Sequence, residues 1–234
     1  MDETALDPTQ VRTAHGVAGL RLPTGDSFAI WDVLKALGGL MANFPSDEKT
    51  SRRVNRFREG ARALDRAKET TQRYADFLRN LNANLTFDFN PPPACLRALE
   101  LVNKTSEFNL NGLRFTTTEW QSKANRPGAF LVILNYQDKF GPLGKISVIE
   151  GHQLAHTLHV ESWVIRDRAL NRRIEHQSIT KLFDAYQVSE INFQFAHTAR
   201  NGATRDFFNT VLGRLPETNF ILGKDQWDSF VSGL

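Results

Sequence analysis

The sequence predicts a mixed α/β domain, a central sheet flanked by helices, preceded by a short α/β remnant and a helical connector. Three observations carry this. Leu85–Phe89 alternates apolar and polar residues, and further strand segments recur toward the C-terminus, separated by stretches of helical period. The composition shifts near residue 84, from basic and helix-forming to strand-forming. From there the order reads β-α-α-β-β-β-α-β-α-β. The domains expected are therefore 1–45, 46–83 and 84–234.

Val17–Pro23 reads as a strand, and Ser27–Leu40 as a helix with Ile30, Val33, Leu34 and Leu37 on one face. Ser46 caps the next helix, and Asp47 and Glu48 suit its positive end. That helix is basic, with Val54, Phe57, Ala61 and Leu64 at helical spacing and Gly60 as its weak point. A further helix spans about 72–81.

Leu85–Phe89 is a strand that Pro91–Pro93 ends, launching a helix over Ala94–Lys104. A short helix, Thr117–Lys123, precedes a strand at Ala129–Tyr136. Gly141-Pro142-Leu143-Gly144 predicts the turn of a hairpin whose second strand is Lys145–Glu150. Thr157–Ile165 is the third strand of this group, and 172–186 an amphipathic helix. Glu190–His197, Thr204–Leu212 and Asn219–Gly223 complete the domain as strand, helix and strand.

The chain has 234 residues, 17 of them Phe, enough for an aromatic core. Its one cysteine, Cys95, excludes a disulfide framework and suits a reducing compartment. The N-terminus has neither a basic nor an apolar signal region, and no apolar run approaches a membrane span, which predicts a cytoplasmic protein. Net charge is only +3, and no aromatic array accompanies the basic residues, which argues against nucleic acid. The positive charge is concentrated in two places. Lys49, Arg52, Arg53, Arg56, Arg58, Arg62, Arg66, Lys68 and Arg73 face only Glu59, Asp65 and Glu69. Arg166, Arg168, Arg172 and Arg173 form the second cluster.

That second cluster lies where a buried strand gives way to a helix. Unpaired N–H groups and the dipole make a helix N-terminus an anion site, and arginines add charge-assisted contacts. Arg168, Asn171, Arg172 and Arg173 are thus candidates for holding a phosphate-bearing group; a solvated helix start is the alternative reading. Glu161, on the preceding strand, and His176, just inside the helix, are candidate acid–base groups. His152, His156 and His159 have helical spacing, but they fall in a hairpin where that spacing is expected not to converge, and no metal is expected. Lys104, Thr105, Asn109 and Arg114 make a polar loop that predicts substrate contact through Asn109 and Arg114.

The element order, with Arg168-Ala-Leu-Asn171-Arg-Arg173 in the place of an R/Q-x-x-G-x-G/A loop, resembles N-acetyltransferase-like (GNAT) folds. In those folds the loop cradles the pyrophosphate of coenzyme A. Here Asn171 and Arg173 stand in the two glycine positions. Three segments further resemble the acyltransferase-like domain of FkbH-like proteins: Asn103-Lys-Thr-Ser-Glu-Phe-Asn-Leu-Asn-Gly-Leu-Arg114, Asp138-Lys-Phe-Gly-Pro-Leu-Gly-Lys-Ile146, and Thr198-Ala-Arg-Asn-Gly-Ala-Thr-Arg-Asp-Phe-Phe208.

The resemblance implies acyl or glyceryl transfer connected with an acyl carrier protein in polyketide-type metabolism, with coenzyme A or phosphopantetheine as the group held. It also implies that residues 1–45 are the tail of a HAD-type domain, whose nucleophile motif is absent, so that a separate HAD-type partner would complete the system. Asn201 falls where a pantetheine arm would be bonded. Asp167 stands where the family commonly has Cys, and is expected to pair with a nearby arginine. Phe208 stands where a tyrosine would protonate a leaving thiolate. These departures leave a second reading open, a non-catalytic module that docks a carrier protein or a HAD-type partner.

Overall fold

A computed structural model describes residues 48–90 and 95–233. The expected strand Val17–Pro23, the helix Ser27–Leu40, the Ser46 cap and the whole HAD-like remnant lie outside them. The chain divides into two compact units, Met1–Ser51 and Arg52–Leu234, and the architecture described belongs to the second.

Two helices lead in, α1 (Glu48–Ala67) and α2 (Thr71–Arg79). Thr70 caps α2, its hydroxyl accepting from the Arg73 N–H. Gly60 has a packing reason: a Cβ there would lie 3.2 Å from the Phe140 ring, so the glycine lets the tip of a later hairpin rest on α1.

The sheet runs β1 (Asn84–Phe89), β3 (Ala129–Asp138), β4 (Gly141–Leu154), β5 (Thr157–Ile165), β6 (Glu190–Phe193) and β7 (Phe220–Gly223), with β2 (Phe108–Asn109) pairing β5 off this path. Every pairing is antiparallel except β5 with β6. Helices α3 (Leu96–Lys104) and α4 (Thr117–Ala124) cover one face, where Leu101, Val102 and Trp120 pack on Ile133, Val148 and Val164. Helices α5 (Ile174–Tyr186), α6 (Gly202–Leu212) and α7 (Lys224–Ser232) belong to the other core, around Trp163, Phe193, Phe208, Phe220 and Trp227. The mixed, mainly antiparallel sheet between helices is the predicted class, and β1-α3-α4-β3-β4-β5-α5-β6-α6-β7 is the predicted order.

Two details differ. The first hairpin turns at Lys139–Phe140, where the Asp138 carboxylate accepts from the Phe140 N–H at 2.9 Å, and not at Gly141–Gly144. Gly141 and Gly144, at φ of 115° and 69°, sit inside a bent strand whose register shifts absorb them. The loop expected between the first helices contains β2, which closes on β5 through Phe108↔Ile165 and Asn109↔Val164.

A bulge in β5 matters for everything that follows. Ser162 pairs Glu150 and Val160 pairs Gly151, leaving Glu161 as the extra residue. Gly151 permits this close approach, because a Cβ there would fall 1.8 Å from the His159 carbonyl oxygen.

Candidate functional site

The strand β5 pairs β6 only over Thr157–Val160, and beyond that point the two part. Parted strands expose backbone groups to which an extended amide chain could pair. Here the chain fills the gap itself. The Leu110 N–H donates to the Trp163 carbonyl at 2.9 Å, and the Ala196 N–H donates to the Leu110 carbonyl at 3.3 Å. Asn111 Nδ2 bridges the two sides, donating to the carbonyls of Glu161 (2.8 Å) and Gln194 (2.9 Å).

Asn109 and Asn201 hold this insertion. Asn109 is buried; its Nδ2 donates to the Thr105 carbonyl, and its Oδ1 accepts from the N–H groups of Asn111 and Gly112. Asn201 is fully buried, and its Nδ2 donates to the carbonyls of Asn109 (3.1 Å) and Ala196 (2.9 Å) while its Oδ1 accepts from the Thr198 N–H. Arg114 folds back on the same loop, donating to the Thr105 carbonyl at 2.8 Å. The structure therefore brings Asn109, Arg114 and Asn201 together, with their polar atoms engaged by backbone. Phe208 is buried among Trp163, Phe193, Phe207 and Phe220.

The arginine loop occupies the start of α5. After a 3₁₀ turn at Asp167–Ala169, Asn171 (φ 60°) and Arg173 (φ 55°) both adopt left-handed backbone. The two positions that would be glycine in the resembling loop thus keep a glycine-like conformation. That costs an L-residue about 1–2 kcal/mol, less for Asn than for Arg. Tyr74 ties α2 to this loop by donating to the Asn171 carbonyl at 2.9 Å. Arg168 donates to the Leu143 carbonyl at 2.6 Å. Arg172 is buried, donates to the Arg168 carbonyl, lies 3.5 Å from Asp138 and stacks over Tyr136. Asp167 makes no ion pair among the described residues, contrary to expectation.

The loop borders two cavities. One, of about 230 Å³, is lined by Arg56 of α1 and Lys68 just beyond it together with Arg168, Asn171 and Arg172, and by Asp65, Asp138 and Asp167, so the two basic segments of the sequence meet there. The other, of about 360 Å³, is lined by Tyr74, Asn171, Arg173, Glu175 and His176. Burial pushes the Glu175 carboxyl up to about 7, countered only in part by its own backbone N–H at the first turn of α5. Burial, aided by the charge of Arg173, pushes His176 down to about 4, so its ring is neutral at pH 7. The ring lies among Phe207, Trp227 and Phe230.

Glu161 lies elsewhere, toward α4. Arg126 (2.7 Å) and Lys123 both bond its carboxylate, and His152 Nδ1 lies 2.8 Å away. Burial alone would raise this carboxyl, but the hydrogen bonds from Arg126 and Lys123 outweigh it and hold the group below the usual range. Glu161 and His176 share no partner and line no common cavity among the described residues. His152 and His159 do converge: the register pairs them, and their rings stack 4.6 Å apart. No group of three metal-ligating side chains occurs among the described residues. No helix among them is long and apolar enough to cross a membrane. Glu175, Lys123, Arg126 and Glu150 went unread in the sequence because burial and pairing, not spacing, single them out.

The residues present do not fit coenzyme A held in the manner the resembling loop implies. The backbone gap beside the loop is occupied by residues 108–111, and a buried carboxyl sits at the first turn of the helix that would meet the pyrophosphate. No family model matches the chain, and no curated protein matches it. Among solved structures, a domain from Methanocaldococcus jannaschii DSM 2661 is similar at 11% identity over 60% of this chain and 99% of that one, with a TM-score of 0.45. Another, described as a "putative acetyltransferase", is similar at 12% identity over 64% of this chain and 90% of that one, with a TM-score of 0.37. At these scores neither likeness assigns a function. Among the described residues the strand order and the one parallel pair, β5 with β6, give a mixed, mainly antiparallel sheet consistent with a GNAT-like fold.

Proposed function

We propose that this chain is a GNAT-like module of FkbH-like acyl or glyceryl transfer whose task is to dock an acyl carrier protein bearing phosphopantetheine, without itself transferring from coenzyme A. The observation that carries this is the meeting of Arg56 and Lys68 with Arg168, Asn171 and Arg172 around one cavity, where the cations outnumber the carboxylates of Asp65, Asp138 and Asp167. Arg58, Arg62 and Arg66 extend the positive surface along the exposed side of α1. Such a surface suits a partner whose helices carry carboxylates and whose prosthetic arm carries a phosphate. The filled gap beside β5 supports docking over thioester chemistry with free coenzyme A.

Acyl or glyceryl transfer is the second reading, and one observation favours it: Glu175 titrates near neutrality in a cavity shared with His176 and Tyr74. Were the chain a transferase, Glu161 or His176 would take the proton, with Asn109 and Arg114 toward the acceptor. Glu175 is better tuned than either, since Glu161 is engaged by two cations and His176 is a weak base.

Thermal stability, followed while titrating the protein with holo-carrier protein, apo-carrier protein and acetyl-coenzyme A, separates the readings. Docking predicts stabilisation by the holo-carrier that weakens with salt and in Arg56→Glu/Lys68→Glu. Stabilisation by acetyl-coenzyme A, with acyl appearing on any acceptor, would overturn it in favour of transfer.

A further inference from the structure

The buried stripe of α5 contains a carboxyl where a core residue is expected. Glu175, Ser178, Ile179 and Leu182 repeat at i, i+3, i+4 and i+7, the spacing of a helix face that packs inward, and all four are buried. Glu175 is 8% exposed. It forms no ion pair among the described residues, and the only hydrogen bond to its carboxyl comes from its own backbone N–H. Its oxygens are not among those closed off from solvent, so they open onto the cavity of about 360 Å³ that the residue lines.

Tyr74 of α2 and Phe207 of α6 give this cavity aromatic walls, with Leu170 and Ala203 beside them. Glu107, just before β2, and Asp206 of α6 add two exposed carboxylates, neither of them ion-paired among the described residues. Against Glu107, Glu175 and Asp206 the lining sets one cation, Arg173, since the His176 ring is neutral at pH 7. A buried carboxylate is costly without a positive partner, and the protein supplies none at Glu175. Burial therefore drives its carboxyl up to about 7. Aromatic faces attract the same charge that the carboxylate lacks. The volume falls in the range of small-molecule sites, roughly 300–1,000 Å³.

We propose that this cavity binds a small organic monocation, a primary ammonium on an apolar body. The ammonium donates to the Glu175 carboxylate, and the body packs against Tyr74 and Phe207. Glu107 and Asp206 attract the cation from the rim, where water screens them. The site is separate from carrier docking, which rests on the basic cavity, and it requires no transfer step.

The test is calorimetric titration of the full chain with phenethylamine, phenethyl alcohol and hydrocinnamate at pH 8 and pH 6. At pH 8 the amine should bind saturably, the alcohol about tenfold more weakly, and the carboxylate not at all. At pH 6 the amine should bind about tenfold more weakly, because Glu175 takes up a proton across that span. The other groups facing Glu175 do not follow that change: Arg173 stays charged, His176 neutral, and the Tyr74 hydroxyl protonated. Glu175→Gln should weaken the amine about tenfold at pH 8 and remove the pH dependence. The double variant Glu107→Gln/Asp206→Asn should weaken it only about threefold and keep the pH dependence. Absence of saturable amine binding at pH 8 overturns the site, as does unchanged affinity in Glu175→Gln. Equal affinity for the alcohol overturns charge recognition, and tighter binding of the carboxylate overturns the cation in favour of an anion on Arg173. Should Glu175→Gln fail to fold, the rim variant decides: loss of the pH dependence there overturns the assignment to Glu175.

Discussion

Glu175 and His176, adjacent in the first turn of α5, have their ionisations driven past one another by burial, the carboxyl up to about 7 and the imidazole down to about 4. Between the ordinary carboxylate value of 4.5 and about 7, the folded state binds more protons at Glu175 than the unfolded chain does, so stability falls as pH rises. Between about 4 and the ordinary imidazole value of 6.5, the folded state binds fewer at His176, so stability rises with pH. The two windows overlap and the slopes oppose. Relative to the unsubstituted chain, Glu175→Gln should gain up to about 3 kcal/mol above pH 7, and His176→Phe should gain about 2 kcal/mol below pH 4. Urea midpoints at pH 4, 5, 6 and 8 check both; parallel profiles for the three proteins would rule out the assignment.

Arg173 adds to the depression of His176 and holds a left-handed backbone. Arg173→Gly should therefore raise the His176 pKa and stabilise the fold by about 1 kcal/mol, whereas Asn171→Gly should gain less because Asn tolerates that conformation better. Imidazole proton shifts across a pH series report the first effect and urea unfolding the second. A loss of stability in Arg173→Gly would mean that its side chain makes a compensating contact.

Glu161 sits under Lys123, Arg126 and His152. Replacing it with Gln leaves two partly buried cations with only Glu150 between them, and should cost about 2–4 kcal/mol. The carboxyl is held low, so the loss should be present at pH 7 and shrink on acidification, as the native chain's own Glu161 protonates. Denaturant unfolding at pH 7 and pH 4 checks both parts.

Asn111→Ala removes the bridge between the carbonyls of Glu161 and Gln194. A cost of about 2 kcal/mol is expected, measured by urea unfolding, since two half-buried acceptors lose their donor. A change under 0.5 kcal/mol, roughly the level of a surface substitution, would show that water replaces the amide without penalty.

Long periodic segments were legible, because the alternation of Leu85 to Phe89 and the helical spacing of Ile174, Ile179, Leu182 and Phe183 reflect burial directly. The hairpin turn was misplaced because Gly141-Pro142-Leu143-Gly144 carries the strongest local turn signal, while bulges let β4 run through it. The strand β2 left no local signal: two residues pair only because β5 outlasts β6. Helix α7, anchored by buried Trp227, was likewise unread. For the site, the resembling loop singled out Asn171 and Arg173, and its place on the helix after that loop singled out His176; all three line one cavity. Glu175 could not be chosen that way, since a buried carboxyl and a solvated one look alike in sequence.

The bridge at Asn111 also has a kinetic side. It joins residues 50 and 83 positions away, and Asn201 fastens the same segment across 92. Contacts of that span close only after β5, β6 and the start of α6 have come together, so the segment is expected to insert late, after the rate-limiting barrier. Its loss should therefore speed unfolding while leaving refolding nearly unchanged. On that expectation the gap in the sheet becomes a latch on how long the native state persists, with the side chain of one asparagine setting its release.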